Sequence, residues 1–101
     1  MMEKRNEIER FLKILKQHLP ALKKRYHVRS LELFGSYVRQ EQDMDSDLDI
    51  LVTFSEPPSL LTFVALENHL SDLLNVNVDL VMQSALKPYI GQRILEEKIP
   101  V

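Results

Sequence analysis

Apolar residues recur with helical spacing over the first twenty positions. Ile8, Phe11, Leu12, Leu15 and Leu19 fall at i, i+3, i+4, i+7 and i+11, one stripe on a helix from Glu3 to His18. Pro20 suits the first turn of a helix but not its interior, so the chain is expected to reset there into a second short helix, Ala21–Tyr26. The period then changes. Val28–Phe34 reads as a strand, and so does Asp47–Phe54, in which Leu48, Ile50, Val52 and Phe54 share one face while Asp47 and Asp49 point to the other. Ser55-Glu56-Pro57-Pro58 stops that strand. Ser59 can cap a helix from Leu60 to Leu74 with an inward stripe of Phe63, Leu66, Leu70, Leu73 and Leu74. Val76–Met82 is a third strand, with Asn77, Asp79 and Val81 on one face. Pro88 suits the first turn of a last helix from Lys87 to Glu97, whose apolar side is Ile90, Ile94 and Leu95. Ile99-Pro100-Val101 is an apolar tail, packed on the domain or offered to a partner. The expected fold is α/β or α+β, a small mixed sheet of about three strands backed by helices.

At 101 residues the chain is expected to form a single domain, residues 1–101, with one modest core. A net charge of −2 gives no overall attraction to nucleic acid or to anionic membrane, so no direct nucleic-acid partner is expected. The basic run Lys23-Lys24-Arg25 is short and carries no interleaved aromatic platform, as a solvated helix face would. The absence of cysteine excludes disulfides, thiol catalysis and Cys-ligated zinc, and fits a reducing cytoplasm. The N-terminal stretch has no apolar signal region, and no run approaches the length of a membrane span, so no membrane partner is expected.

The chemistry is concentrated between Gly35 and Phe54, GSYVRQEQDMDSDLDILVTF. Asp47 and Asp49 lie on the same face of a strand, where they repel each other and where burying either one unpaired is costly. A pair of divalent metal ions between them answers both problems. Gly35 lets the backbone approach a ligand closely, and Ser36 adds a hydroxyl. Tyr37–Gln42 contains no breaker and is expected to start a short helix, whose free N–H groups would face a phosphate. Asp79 is out of place in a β-branched run. It is either a charge guarding an edge strand or a third carboxylate beside the first two, and the Asp47/Asp49 pair on a neighbouring strand favours the second. Arg39 is either a surface arginine or a phosphate contact.

Other chemistries are set aside. The series Asp43, Asp45, Asp47, Asp49 superficially looks like a calcium loop, but Leu48 and Phe54 stand where that loop needs Gly and Glu, so Asp43 and Asp45 are expected to be solvated loop charges. Ser36 is not in a Gly-x-Ser-x-Gly elbow. His18, His27 and His69 show no ligand spacing.

The stretch FGSYVRQEQDMDSDLDILV resembles the nucleotidyltransferase superfamily of DNA polymerase beta, and within it the minimal nucleotidyltransferases, the antitoxin half of HEPN–MNT toxin–antitoxin pairs. HLPALKKRYHVRSLELFGS before the motif and VNVDLVMQSALKPYIGQRILEE after it are similar to the same family, so the resemblance covers nearly the whole chain. It implies a palm-like core holding two Mg²⁺ ions on Asp47, Asp49 and Asp79, with Gly35 and Ser36 on the phosphates of ATP. The family often has Arg within GSYxR, which implies a phosphate contact for Arg39. It also implies a partner, a HEPN ribonuclease toxin neutralised by transfer of AMP to a tyrosine. The alternatives are an antitoxin that acts by binding alone, and a nucleotidyltransferase for a small molecule or an RNA end.

Overall fold

The computed structural model describes the backbone of residues 4–86, 94 and 96–101, and side chains from residue 7 onward within those ranges. The elements are α1 (Lys4–Tyr26), β1 (Val28–Phe34), β2 (Leu48–Phe54), α2 (Leu60–Leu74), β3 (Val78–Met82) and β4 (Ile99–Pro100), with a 3-10 turn at Gln83–Ala85. Of the expected last helix, Ile94, Glu96 and Glu97 are helical; Pro88, Ile90 and Leu95 lie outside the described residues. Among the described residues, no helix is long and apolar enough to cross a membrane.

One helix replaces the two expected at the N-terminus. α1 runs through Pro20 without a break. An interior proline loses one backbone hydrogen bond and costs about 3 kcal/mol against alanine. Packing outweighs that cost: Ile8, Phe11, Leu15, Leu22 and Tyr26 are all buried and continue one stripe across the proline, which itself faces solvent. Two independent helices would have to break that stripe. The helix ends at His27, which takes positive φ (59°), and Lys23, Lys24 and Arg25 in its last turn complement the negative end of the helix dipole.

The sheet has four strands in the order β3-β2-β1-β4, where about three were expected. The extra strand is the apolar tail. Ile99 pairs with Leu33 and Pro100 with Glu32, and the Val101 N–H donates to the Leu31 carbonyl at 3.0 Å. So short a strand carries no alternation to recognise, and its proline is tolerated because β4 is an edge. The tail is therefore packed on β1, with Ile99 and Val101 against the main core.

β1 and β2 are antiparallel, and α2 carries the chain across to a parallel β3. Ser59 caps α2 as expected, its Oγ accepting from the Thr62 N–H at 3.1 Å, and Asn75 closes the helix in the left-handed region. Leu66, Leu70 and Leu74 are the buried stripe of α2; Phe63 and Leu73 are only half-buried. β3 would be an open edge, but α2 covers it. Ser71 Oγ accepts from the Val78 N–H at 3.0 Å, and Glu67 Oε2 accepts from the Leu80 N–H at 2.9 Å.

Alternation along the strands separates two faces. Leu33, Leu48, Ile50 and Leu80 join α1 and α2 in the main core. On the other face Phe34 and Leu51 pack with Ile94 in a small second cluster. The carboxylates belong to that second face, beside apolar neighbours.

Candidate active site

β1 delivers the chain to Gly35, which takes φ +83°. A side chain here would be strained, and a Cβ would collide with the Asp49 carboxylate. The following residues make one turn and stop. Arg39 N–H donates to the Gly35 carbonyl (3.1 Å), Gln40 N–H to Tyr37 (3.2 Å) and Glu41 N–H to Ser36 (2.8 Å), with Gln40 at φ 59°. These interlocked bonds around a left-handed residue are a helix-terminating motif. The short helix expected from Tyr37 is thus a single turn, with too few aligned peptides to develop much dipole. Its N–H groups must act individually. Tyr37 is buried and sets its ring edge-on against Phe11 of α1, centroids 5.5 Å apart, which anchors the turn to the main core. Burial, and then the charge of Glu7, raises its hydroxyl pKa.

The loop into β2 is organised by Asp43, whose carboxylate accepts from the Asp45 N–H (2.9 Å) and the Ser46 hydroxyl (3.3 Å). Asp43 and Asp45 are exposed, as expected for loop charges. The Leu48 N–H then donates to the Asn77 carbonyl at 2.8 Å, which joins the start of β2 to the approach of β3.

The register does the rest. In the parallel β2–β3 pair, Asp49 stands opposite Asp79; in the antiparallel β1–β2 pair it stands opposite Phe34, the residue before Gly35. Asp47, expected to open the strand, instead lies immediately before β2, two residues from Asp49, and is exposed. Burial, then the charges of Asp79 and Asp47 and a hydrogen bond shared with Asp79, push the Asp49 carboxyl up to about 6. Arg39 pulls weakly the other way.

Among the described residues, no group of three or more His, Asp or Glu side chains stands ready-made as a metal cage. The donor set nonetheless fits a hard divalent cation. Its donors are carboxylate oxygens, and Asp49 carries the raised pKa that uncompensated negative charge and burial produce. Gly35, lacking a Cβ, leaves that carboxylate its space.

Arg39 leans on two acids, Nε on Glu41 (3.0 Å) and Nη1 on both oxygens of Glu97 (3.0 and 3.1 Å). These hydrogen bonds, first to Glu41 and then to Glu97, raise its pKa. Glu97 also accepts the Gly35 N–H at 3.2 Å. Sequence reasoning missed Glu97, because its contacts are 58 and 62 positions away. It missed Glu67 too, whose bond to the β3 edge needs the α2 crossover in place. Of the histidines, His69 bonds Tyr26 Oη through Nδ1 at 2.8 Å, and none of the three joins the carboxylates.

The model of the nucleotidyltransferase domain family matches residues 8–101. The chain belongs to the nucleotidyltransferase domain family. This nucleotidyltransferase is 49% identical to protein adenylyltransferase MntA of Thermococcus cleftensis over 93% of its own length and 95% of that protein's. A solved structure described as a minimal nucleotidyltransferase superposes with a TM-score of 0.75 at 35% identity, covering 99% of this chain and 97% of the other. The crystal structure of a toxin–antitoxin with AMP-PNP gives a TM-score of 0.65 at 25% identity, over 94% of this nucleotidyltransferase and 69% of that chain. The turn at Gly35 and the carboxylates of β2 and β3 thus lie at one end of the sheet of a nucleotidyl-transferring enzyme.

Proposed function

We propose that this nucleotidyltransferase is a one-domain cytoplasmic antitoxin that transfers AMP from ATP to a tyrosine hydroxyl of a HEPN-type ribonuclease toxin. The observation that carries the reading is Asp49 of β2, which stands opposite Asp79 of β3 and against the Gly35 turn, with Asp47 two residues before it. The names of MntA and of the toxin–antitoxin complex support the partner and the donor.

Asp47, Asp49 and Asp79 would hold two Mg²⁺ ions, which when bound supply charge neutralisation for the triphosphate and acidify the acceptor hydroxyl. Ser36 offers its hydroxyl and Gly35 its N–H to the phosphates, and Arg39 adds a guanidinium at the end of the same turn. Asp79, farthest from that turn across β2, assists removal of the acceptor proton. The tyrosine oxygen attacks the α-phosphorus, the bond to the bridging oxygen breaks, and pyrophosphate leaves as the AMP ester forms. Positioning and charge stabilisation provide most of the acceleration in such an in-line displacement. The exposed acidic loop Glu41–Asp45 suits a basic surface such as a ribonuclease's.

Intact-mass measurement of the toxin after incubation with this protein, Mg²⁺ and ATP tests the reading. AMP additions that vanish with Asp47→Asn support it. A toxin neutralised without mass change, equally well by that variant, would establish an antitoxin that acts by binding. AMP found instead on a small molecule or an RNA end would move the acceptor elsewhere.

A further inference from the structure

The Gly35 N–H and the Arg39 guanidinium, both assigned above to phosphate, are engaged by one and the same carboxylate. Glu97 accepts the Gly35 N–H at 3.2 Å and receives Arg39 Nη1 on both oxygens at 3.0 and 3.1 Å. A single N–H cannot serve a carboxylate and a phosphate at full strength together. We propose that Glu97 is a displaceable internal anion, which occupies the phosphate-binding turn of the nucleotide-free protein, leaves it when a nucleoside triphosphate binds, and thereby sets nucleotide affinity. The inference rests on the nucleotide-binding reading of that turn.

Several features make Glu97 a stand-in for phosphate. It presents oxygen acceptors to a backbone N–H at the end of a strand and to a guanidinium, the donor pair that a phosphate oxygen also takes. Its own side chain is only 16% exposed, while that of Arg39 is open to solvent. Gly35 also abuts the Asp49 carboxylate. A triphosphate entering that turn meets Glu97 as a like charge and competes with it for Arg39, so both effects oppose nucleotide binding while Glu97 is in place. Displacement needs no unfolding. The neighbouring backbone is fixed by the Lys98–Glu32 ion pair (2.8 Å), by the Lys98 N–H on the Ile94 carbonyl (2.9 Å) and by the pairing of Ile99 and Pro100 with β1. Rotation of the Glu97 side chain suffices.

Glu41 is the natural control. It pairs with the same arginine through Nε at 3.0 Å but belongs to the other end of the turn, and it is more exposed than Glu97. Calorimetric titration with Mg-ATP and with inorganic triphosphate decides the matter. In Glu97→Gln the amide oxygen still accepts the Gly35 N–H, so the turn keeps its bond while the charge is lost. That variant should bind both ligands on the order of three- to tenfold more tightly than wild type. Glu41→Gln should change affinity by less than about twofold, as expected for an exposed pair. Unchanged or weaker binding by a folded Glu97→Gln protein overturns the proposal, as does equal tightening by Glu41→Gln. In the wild-type protein the carboxylate carbon resonance of Glu97 should shift when inorganic triphosphate is added, and a fixed resonance at saturation overturns the proposal without any variant. If wild-type protein binds neither ligand, the nucleotide-binding reading falls and this inference with it. If it binds them and Glu97→Gln does not tighten, only this inference falls.

Discussion

Asp49 lies directly across the parallel β2–β3 ladder from Asp79, and burial together with the Asp79 charge raises the pKa of the Asp49 carboxyl. The fold therefore holds a proton on Asp49 that the unfolded chain releases earlier. The ordinary value is 3.8 and the folded one about 6. A raised folded value means stability present at low pH and lost as pH rises, here between about 4 and 6. The full shift corresponds to about 3 kcal/mol, and solvent screening at this half-buried site leaves about half of that. Urea unfolding of the metal-free protein should show a stability decline over that window, and Asp49→Asn should flatten it. A wild-type curve already flat from pH 4 to 7 would show that the two carboxyls do not interact in this way.

Asp47→Asn and Asp79→Asn should each fold normally and each lose nucleotidyl transfer by about 10²-fold or more, the scale of removing one electrostatic element from an active site. Mg²⁺ and ATP together should raise the wild-type melting temperature above either alone, by several degrees at ten times Kd. Undiminished turnover in Asp79→Asn would return that residue to the guarding of a strand edge.

Gly35→Ala should destabilise the fold by about 1–3 kcal/mol, since the position combines positive φ with contact between the added Cβ and the Asp49 carboxylate. Chemical denaturation of the metal-free protein reads this without any activity assay. A variant as stable as wild type would mean that the turn relaxes away from β2.

Glu67→Ala leaves the outward N–H of Leu80 without its acceptor at the edge of β3. The loss of a charge-assisted bond to a part-buried amide should cost about 1.5–3 kcal/mol. Amide exchange at Leu80 should quicken along with it. Protected exchange in the variant would show that another group covers the edge.

Pro20→Ala restores a backbone donor inside α1 and should stabilise the protein by up to about 3 kcal/mol, at a solvent-facing site with no packing to lose. A melting temperature equal to wild type would mean that the helix has already adapted to its proline.

Local pattern alone determined most of the elements. β1 and α2 follow directly from alternation and from a Ser cap, and the period of two turns Asp49 away from the buried Leu48, Ile50 and Val52, while Asp47 lies just before β2. Tertiary structure decided what local rules could not weigh. Pro20 forbids a helix locally, yet the stripe from Ile8 to Tyr26 buries more than the missing hydrogen bond costs. Ile99-Pro100 has no strand signal and becomes one only because the edge of β1 is there to receive it. Asp79 meets Asp49 through a parallel register that α2 imposes, and Glu97 reaches Gly35 and Arg39 from the far end of the chain. Residues adjacent in sequence declare their face by periodicity, whereas partners sixty positions apart are chosen by the packing that brings them together.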